Sequence, residues 1–289
     1  MTTLVSRQQT MPGRAVNALP VVAALRHLAY IAASLAMLGP IAWIILLSFK
    51  TEEEFSNAPF ALPAQFDLSN YFEVLRQPDI WLFVLNSLIV VSGALAIVLV
   101  ASTMAAYAIA RIPFRGSTAL FVLFLVSDSI PLIVIIVPLF IVVQHLGLDG
   151  SRLSIIMPYA AMNMGVSIYI LRGFFRSINS NVEDAARLDG CNTLQLIWHV
   201  VLPIARPGLL VVTIINFISY WNEYFIATVI ASNQRLLTLP AGLAATFVNK
   251  HETNWPVMAA AVVMTLIPVI AVFTVAQEKI VQAWTVAVR

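Results

Sequence analysis

Six apolar stretches of about 20 residues constrain the fold of this chain more than any other feature of its sequence. A helix needs about 20 apolar residues to cross the hydrocarbon core of a bilayer. The stretches are 28–48, 84–110, 118–143, 153–175, 208–231 and 255–276. None shows the alternation of apolar and polar residues that is typical of strands in a membrane barrel. The sequence therefore predicts an all-α membrane protein with six transmembrane helices.

The distribution of charge supports this interpretation and predicts an orientation. Hydrophobic residues make up 60% of the chain and charged residues only 10%, too few to cover a soluble fold of this size. With the N-terminus inside, eleven of the 16 Lys and Arg residues fall in cytoplasmic segments, as the positive-inside rule requires. The chain therefore divides into a flexible cytoplasmic tail (1–27), a six-helix transmembrane domain (28–276) and a cytoplasmic C-terminal tail (277–289). Both termini are expected in the cytoplasm.

Several classes of enzyme find no support in the sequence. Cys191 is the only cysteine, and the four histidines are scattered along the chain without a zinc-binding motif. A phosphate-binding G-x-x-x-x-G-K-[ST] loop is also missing from the sequence. If ATP drives this protein, we expect another subunit to bind it.

The longest polar interruption in the second half of the chain is Ser180–Pro203, within a predicted cytoplasmic loop at 177–206. Ser180 with Glu183, and Asn192 with Gln195, have the spacing of two helix-capping boxes. Gly190 lies between them, where a helix can end in a left-handed residue. Each predicted short helix has an apolar side. An amphipathic connector on the membrane surface and a loop that binds in another protein's groove both fit this pattern.

The same residues resemble the EAA loop of ABC-importer permeases, whose pattern is E-A-A-x3-G-x9-I-x-L-P. The matching residues are Asp184, Ala185, Ala186, Gly190, Val200, Leu202 and Pro203. Asp184 replaces the usual Glu and Val200 replaces Ile, and Glu183 is an alternative source of the acidic group. We call Ser180–Pro203 the EAA-like segment. The ATPase-coupling residues that this resemblance implies are Glu183, Asp184, Ala185, Ala186, Asp189, Gly190, Leu202 and Pro203.

Further motifs place the resemblance in the maltose-type branch of carbohydrate-uptake permeases. They are A-Y-A-I-A-R at 106–111, L-G-L-D-G at 146–150 and W-N-E at 221–223. The resemblance implies a type I importer permease fold in a bacterial or archaeal inner membrane. It implies a second permease subunit, two ATPase subunits and an extracytoplasmic sugar-binding protein as partners. It also implies that the ATPase subunits bind ATP and Mg, that this chain binds no cofactor, and that it is a transport subunit and not an enzyme.

Polar residues inside the predicted spans are candidates for the substrate pathway. Asn216, Tyr220 and Glu223 share one face of a predicted helix, and Asn222 adjoins them. Such a stripe suits a sugar route, although hydrogen bonds between helices are an alternative use of the same groups. Asp128 lies within the third span, where an ionisable group is costly. It either lines the route or is bound to Arg or backbone donors.

An ion-coupled secondary transporter of a small polar solute is the alternative function. Such carriers use buried ionisable groups and inverted repeats. Asp128 and Glu223 are the main ionisable groups expected at membrane depth, and the sequence shows no obvious inverted repeat. These features favour the ABC permease.

Overall fold

The computed structural model describes residues 19–248 and 253–287, with side chains for 22–248 and 253–275. The described residues are mostly helical and contain no strand. The first helix, α1, spans Leu19–Leu47, so helical structure begins upstream of the predicted boundary at residue 28. Residues 1–18 of the predicted tail lie outside the described range. The last helix continues to Ala287, beyond the predicted boundary at 276.

Short helices separate the longer ones along the first half of the chain. After α1 come α2 (Glu52–Asn57), α3 (Ser69–Arg76), α4 (Ile80–Arg111), α5 (Ser117–Ser127), α6 (Leu132–His145), α7 (Leu153–Met162) and α8 (Met164–Ser177). The EAA-like segment contains α9 (Ser180–Leu188), α10 (Thr193–Leu196), a π-helical turn (Ile197–Val201) and α11 (Leu202–Ile204). Then follow α12 (Arg206–Trp221), α13 (Phe225–Ile230), a 3₁₀ turn (Gln234–Leu236), α14 (Leu239–Phe247) and α15 (Trp255–Ala287).

Three helices in the described ranges, α1, α4 and α15, are long and apolar enough to cross a membrane without a break. Three further candidates are bent pairs: α5 with α6 at 103°, α7 with α8 at 49°, and the α10–α11 region with α12 at 79°. Pro131 precedes α6, where a proline lacks the N–H that a continuous helix would need. By length and composition the described structure accommodates up to six spans if each bent pair is one span. The third pair includes part of the predicted cytoplasmic loop, whereas the predicted span at 208–231 covers α12 and α13, so the count of six stays a prediction.

The long helix α4 lies at the centre of the bundle and packs against α7, α8, α12 and α14. Its buried apolar side chains belong to two clusters. The first surrounds Val90, Val98 and Tyr159, and the second joins Tyr107 to Phe175 and to the EAA-like segment. By contrast α1 packs mainly on α15 and leaves most of its apolar side chains exposed. The described residues therefore form a core around α4, with the EAA-like segment attached at one end of that core.

Close packing between α5 and α8 depends on one glycine. A Cβ atom at Gly165 would lie 2.1 Å from the carbonyl oxygen of Phe124 and 2.7 Å from Oδ2 of Asp128. These distances are far inside van der Waals contact, so only glycine fits at this point of α8. Small residues allow helices to approach closely in membranes, and here the approach brings the end of α5 to the start of α8.

Candidate coupling and transport sites

The first helix of the EAA-like segment has a different cap from the predicted one. Asn179 precedes α9, and its side chain accepts a hydrogen bond from the N–H of Asn181 at 3.0 Å. The predicted capping box of Ser180 and Glu183 is therefore wrong. The physical reason is that the Glu183 carboxylate faces the protein interior, where it has other partners, and does not reach back along its own helix.

The second predicted cap is confirmed. The Asn192 side chain accepts the N–H of Gln195 at 2.9 Å, and the Gln195 side chain accepts the N–H of Asn192 at 2.9 Å. Between the two helices Gly190 has a φ of 90°, a left-handed conformation that suits glycine. The reversal of the chain after α9 therefore follows from the sequence as expected.

Glu183 is the buried acidic residue of the EAA-like segment, with only 3% of its surface exposed. Its Oε1 forms an ion pair with Nε of Arg111 at 2.8 Å. Its Oε2 accepts a hydrogen bond from the Tyr107 hydroxyl at 3.1 Å and lies 3.4 Å from Nη2 of Arg187. Because Tyr107 and Arg111 belong to the last turns of α4, this carboxylate fastens α9 to the end of α4.

Asp184, the residue that matches the acid of the EAA pattern, is the next residue of α9 and projects away from the bundle. Its side chain is 62% exposed and pairs with Arg187 at 3.0 Å. The two neighbouring acids therefore occupy different environments, with Glu183 facing the helical bundle and Asp184 facing solvent. A role in coupling stays a prediction for both Glu183 and Asp184.

The other predicted coupling residues also divide between two faces. Ala185, Asp189 and Gly190 are exposed, and Leu202 and Pro203 are half-buried. Ala186 is buried in the second apolar cluster, so its side chain packs on the bundle and cannot face a partner directly. Large apolar side chains not among the predicted site residues are also exposed on the EAA-like segment: Leu188 at 89%, Trp198 at 63% and Leu194 at 57%. The sequence pattern had predicted that these residues belong to the apolar side of the segment.

Asp128 accepts hydrogen bonds from backbone amides at the start of α8. Its carboxylate oxygens lie 2.6 Å from the N–H nitrogen of Val166 and 3.4 Å from that of Gly165. The first amides of a helix have no partner within that helix, so this carboxylate satisfies two of them at the break between α7 and α8. Asp128 therefore has the backbone donors that were one of its two expected environments, and its place in the substrate pathway stays a prediction.

Glu223 has a comparable position at the break between α12 and α13. Its carboxylate accepts the amides of Ile226 at 2.8 Å and Ala227 at 3.2 Å, which are the free amides of α13. The Tyr159 hydroxyl donates to the same carboxylate at 2.7 Å. Glu223 therefore caps a helix and links it to α7.

The predicted stripe of Asn216, Tyr220 and Glu223 does not lie on one helix, because α12 ends at Trp221. Asn216 and Tyr220 are each 1% exposed. Asn216 donates to the Ser167 hydroxyl at 2.9 Å, and the Tyr220 ring stacks on Tyr159 at a centroid distance of 5.6 Å. These contacts are between helices, as the alternative interpretation expected. A substrate contact for any of them stays a prediction.

Two polar side chains at this break are more accessible. Asn222 is exposed, and Tyr224, which was not among the predicted site residues, is 44% exposed. Tyr224 also lines a groove of about 500 Å³ between α13 and α14, together with Thr228, Asn233 and Gln234. Within the described ranges no three His, Cys, Asp or Glu side chains are grouped closely enough to hold a metal ion.

Comparison with known families identifies the chain. Residues 97–286 match the model of the binding-protein-dependent transport system inner membrane component. The chain belongs to this family. The diacetylchitobiose uptake permease NgcG of Streptomyces coelicolor is 33% identical, with 89% of this chain and 86% of the relative covered. The sulfoquinovosyl glycerol permease SmoH of Agrobacterium fabrum is 32% identical, with coverages of 90% and 92%.

The fold agrees with a solved structure of the same kind. A chain of a bacterial ABC transporter that imports the acidic polysaccharide alginate superposes with a TM-score of 0.80 at 27% identity. The superposition covers 92% of this chain and 99% of that chain. The all-helical ABC importer permease fold is thus confirmed. The chain is a multi-pass inner-membrane permease subunit of a binding-protein-dependent transport system, and not itself an enzyme.

Proposed function

We propose that this chain forms half of the translocation pathway of an ATP-driven importer for sugars or glycosides. The observation that carries the proposal is the family membership over residues 97–286, together with relatives named for diacetylchitobiose and sulfoquinovosyl glycerol uptake. Both named solutes contain a sugar ring with several hydroxyl groups. Among the functions considered, an ion-coupled carrier has no comparable support.

The EAA-like segment is the proposed contact with the ATPase. Its exposed residues include the apolar side chains of Leu188 and Leu194 and the carboxylates of Asp184 and Asp189. Apolar side chains with polar groups at the margin are the usual composition of a protein interface. ATP and Mg are bound by the ATPase partner in this proposal, and the segment receives the movement of that partner.

The break between α12 and α13 is the proposed substrate contact. Asn222 and Tyr224 are accessible there, and an amide beside an aromatic ring suits a sugar, whose hydroxyls form hydrogen bonds and whose ring face is apolar. Substrate sites of transporters commonly lie where membrane helices are interrupted. In this proposal Asp128 and Glu223 contribute by holding the interrupted helices in place.

Purification of the tagged chain from its native membrane tests the proposal. We expect an ATPase and a second permease to co-purify, and the reconstituted complex to hydrolyse ATP faster with its binding protein and one sugar from a panel. The panel should include diacetylchitobiose, trehalose and a hexose as the monosaccharide control. Absence of an ATPase from the purified complex would reject the proposal.

A single substitution tests whether the EAA-like segment contacts the ATPase. Leu188→Glu places a charge at the most exposed apolar position of the segment, and we expect co-purification of the ATPase to fall roughly tenfold or more, as for interface anchor residues. Leu146→Glu is the matched control, because Leu146 is 65% exposed in the turn after α6. Equal ATPase retention in both variants would show that the surface lies elsewhere.

A further inference from the structure

The helix α4 differs from the other candidate membrane helices in being both unbroken and central. It runs for 32 residues, which is about 48 Å at 1.5 Å per residue. The pairs α5–α6 and α7–α8 are bent by 103° and 49° at their breaks, whereas α4 has no break in the described structure. A displacement at one end of α4 is therefore carried to its other end.

Polar contacts fasten one end of α4 to the EAA-like segment. We call Tyr107, Arg111 and Glu183 the inner clamp. Glu183 binds both α4 side chains, and Nη2 of Arg111 also donates to the carbonyl oxygen of Ile178, just before α9. Removal of one partner of a buried ion pair is strongly destabilising, because the other charge is left buried without a partner. The inner clamp therefore fixes α9 relative to α4.

A second set of polar contacts fastens the opposite end of α4 to the segment before α14. Asn86 donates to the carbonyl oxygens of Arg235 at 2.8 Å and Leu237 at 3.0 Å and accepts from Nε of Arg152 at 2.9 Å. The Ser87 hydroxyl accepts the N–H of Leu239 at 2.7 Å. We call Asn86, Ser87 and Arg152 the outer clamp. Asn86 and Ser87 are almost completely buried, so water does not compete for these bonds.

Tight packing accompanies the outer clamp. A Cβ atom at Gly242 of α14 would lie 2.3 Å from the Phe83 ring of α4, so the two helices touch without an intervening side chain. Packed elements of this kind shift as units, because a close-packed interface does not deform continuously. The start of α14 is thus attached to α4 by hydrogen bonds and by direct contact.

From these contacts we infer that α4 transmits the movement of the ATPase-facing segment to 234–242 on the opposite side, through the inner and outer clamps. The inference rests on the proposed function, in which an ATPase moves the EAA-like segment. Tyr107, Glu183 and Ser87 are then positioning residues, which act through α4 and not by touching ATP or substrate. The segment 234–242 is where the predicted topology places the extracytoplasmic surface.

A double-mutant cycle across α4 tests the inference. Tyr107→Phe and Ser87→Ala each remove one hydrogen bond and change little volume, at positions about 30 Å apart along the helix. Matched controls are Tyr169→Phe, on an exposed ring of α8, and Ser92→Ala, whose hydroxyl donates to carbonyls within α4. Mutations this far apart are additive unless a shared element couples them.

The readout is amide hydrogen exchange of the purified complex before and after addition of ATP, Mg and vanadate, which traps ABC ATPases in one state. Exchange at 185–195 reports movement of the EAA-like segment, and exchange at 234–242 reports its transmission. In the wild-type complex we expect the rate of hydrogen exchange to change in both segments. Either single variant should interrupt transmission through α4, so that the change at 234–242 falls at least about fivefold, the equivalent of one hydrogen bond. The remaining change at 234–242 then arrives through other contacts, and the change at 185–195 is kept.

The double variant decides whether the clamps act in series. We expect it to resemble the single variants, since either break interrupts the same path, and we expect both controls to resemble wild type. Multiplied effects in the double variant, or wild-type transmission in both single variants, would overturn the inference. If hydrogen exchange in the wild-type complex changes at 185–195 and not at 234–242, the inference is rejected and the proposed function is not. No wild-type change at 185–195 would reject the proposed function and the inference together.

Discussion

At the scale of single residues, adjacent acids in the EAA-like segment have separate roles. Glu183 is enclosed by the end of α4, and Asp184 is exposed beside Arg187. The pattern of the sequence could not distinguish them, because a carboxylate at either position satisfies the same motif. Glu183 and not Asp184 is buried because it pairs with Arg111, which is 72 residues distant in sequence and adjacent in space. Removal of one charge should therefore have unequal effects at the two positions.

Glu183→Gln should destabilise the protein by about 3 kcal/mol, because it leaves the Arg111 guanidinium buried beside a neutral partner. Asp184→Asn should lower the free energy of unfolding by less than about 1 kcal/mol, since only an exposed ion pair is lost. Thermal unfolding of the purified complex in detergent measures both. Similar losses of stability for the two variants would contradict the assignment of Glu183 as the anchor of α9.

A second residue-scale prediction concerns Gly165. Gly165→Ala should destabilise the complex by about 1–3 kcal/mol or more, because the added methyl group would overlap the backbone of α5. Gly173→Ala in the same helix is the control, since an added Cβ there has nothing within 4 Å. The second variant should be neutral or slightly stabilising, as alanine favours helix formation. Unfolding midpoints that shift equally would show that α5 and α8 can separate freely.

At the scale of helices, carboxylates compensate for interruptions in the membrane part. A broken helix exposes amides that lipid cannot satisfy. Asp128 binds those of α8, and Glu223 binds those of α13. The sequence predicted that both carboxylates lie within membrane spans. It did not predict their partners, because the apolar pattern predicted continuous helices through both breaks. The cost of two ionisable groups is thus offset by four backbone hydrogen bonds.

Helix capping by Glu223 predicts a graded series of variants. Glu223→Gln retains an oxygen acceptor and should reduce stability only moderately, whereas Glu223→Ala should lose about 2 kcal/mol or more by leaving buried amides unpaired. Asp79→Ala is the control, because Asp79 precedes α4 without a side-chain cap bond. Unfolding midpoints and the apparent KM for sugar should both be measured. A raised KM with unchanged stability in Glu223→Ala would instead place Glu223 in the substrate pathway.

At the scale of the whole molecule, the sequence predicted the class of fold and the family. Hydrophobic length alone indicates a helical membrane protein, and the spaced motif from Asp184 to Pro203 indicates the family. Of the two helix caps predicted in the EAA-like segment, the one at Asn192 was right, and the one at Ser180 was wrong because Asn179 caps α9 instead. The two clamps of α4 were not predicted, because Arg111 with Glu183 and Asn86 with Leu237 are contacts between distant parts of the chain.

Orientation in the membrane is the remaining whole-molecule prediction, and the single cysteine offers a direct measurement. Cys191 is partly exposed in the EAA-like segment, which the distribution of Lys and Arg places in the cytoplasm. A membrane-impermeant maleimide should therefore label it in inside-out vesicles and not in intact spheroplasts. In a Cys191→Ser background, Ala61→Cys in the exposed loop after α2 should show the reverse pattern. Labelling of both positions from the same side would contradict the six-span topology, because an odd number of spans must separate residue 61 from residue 191.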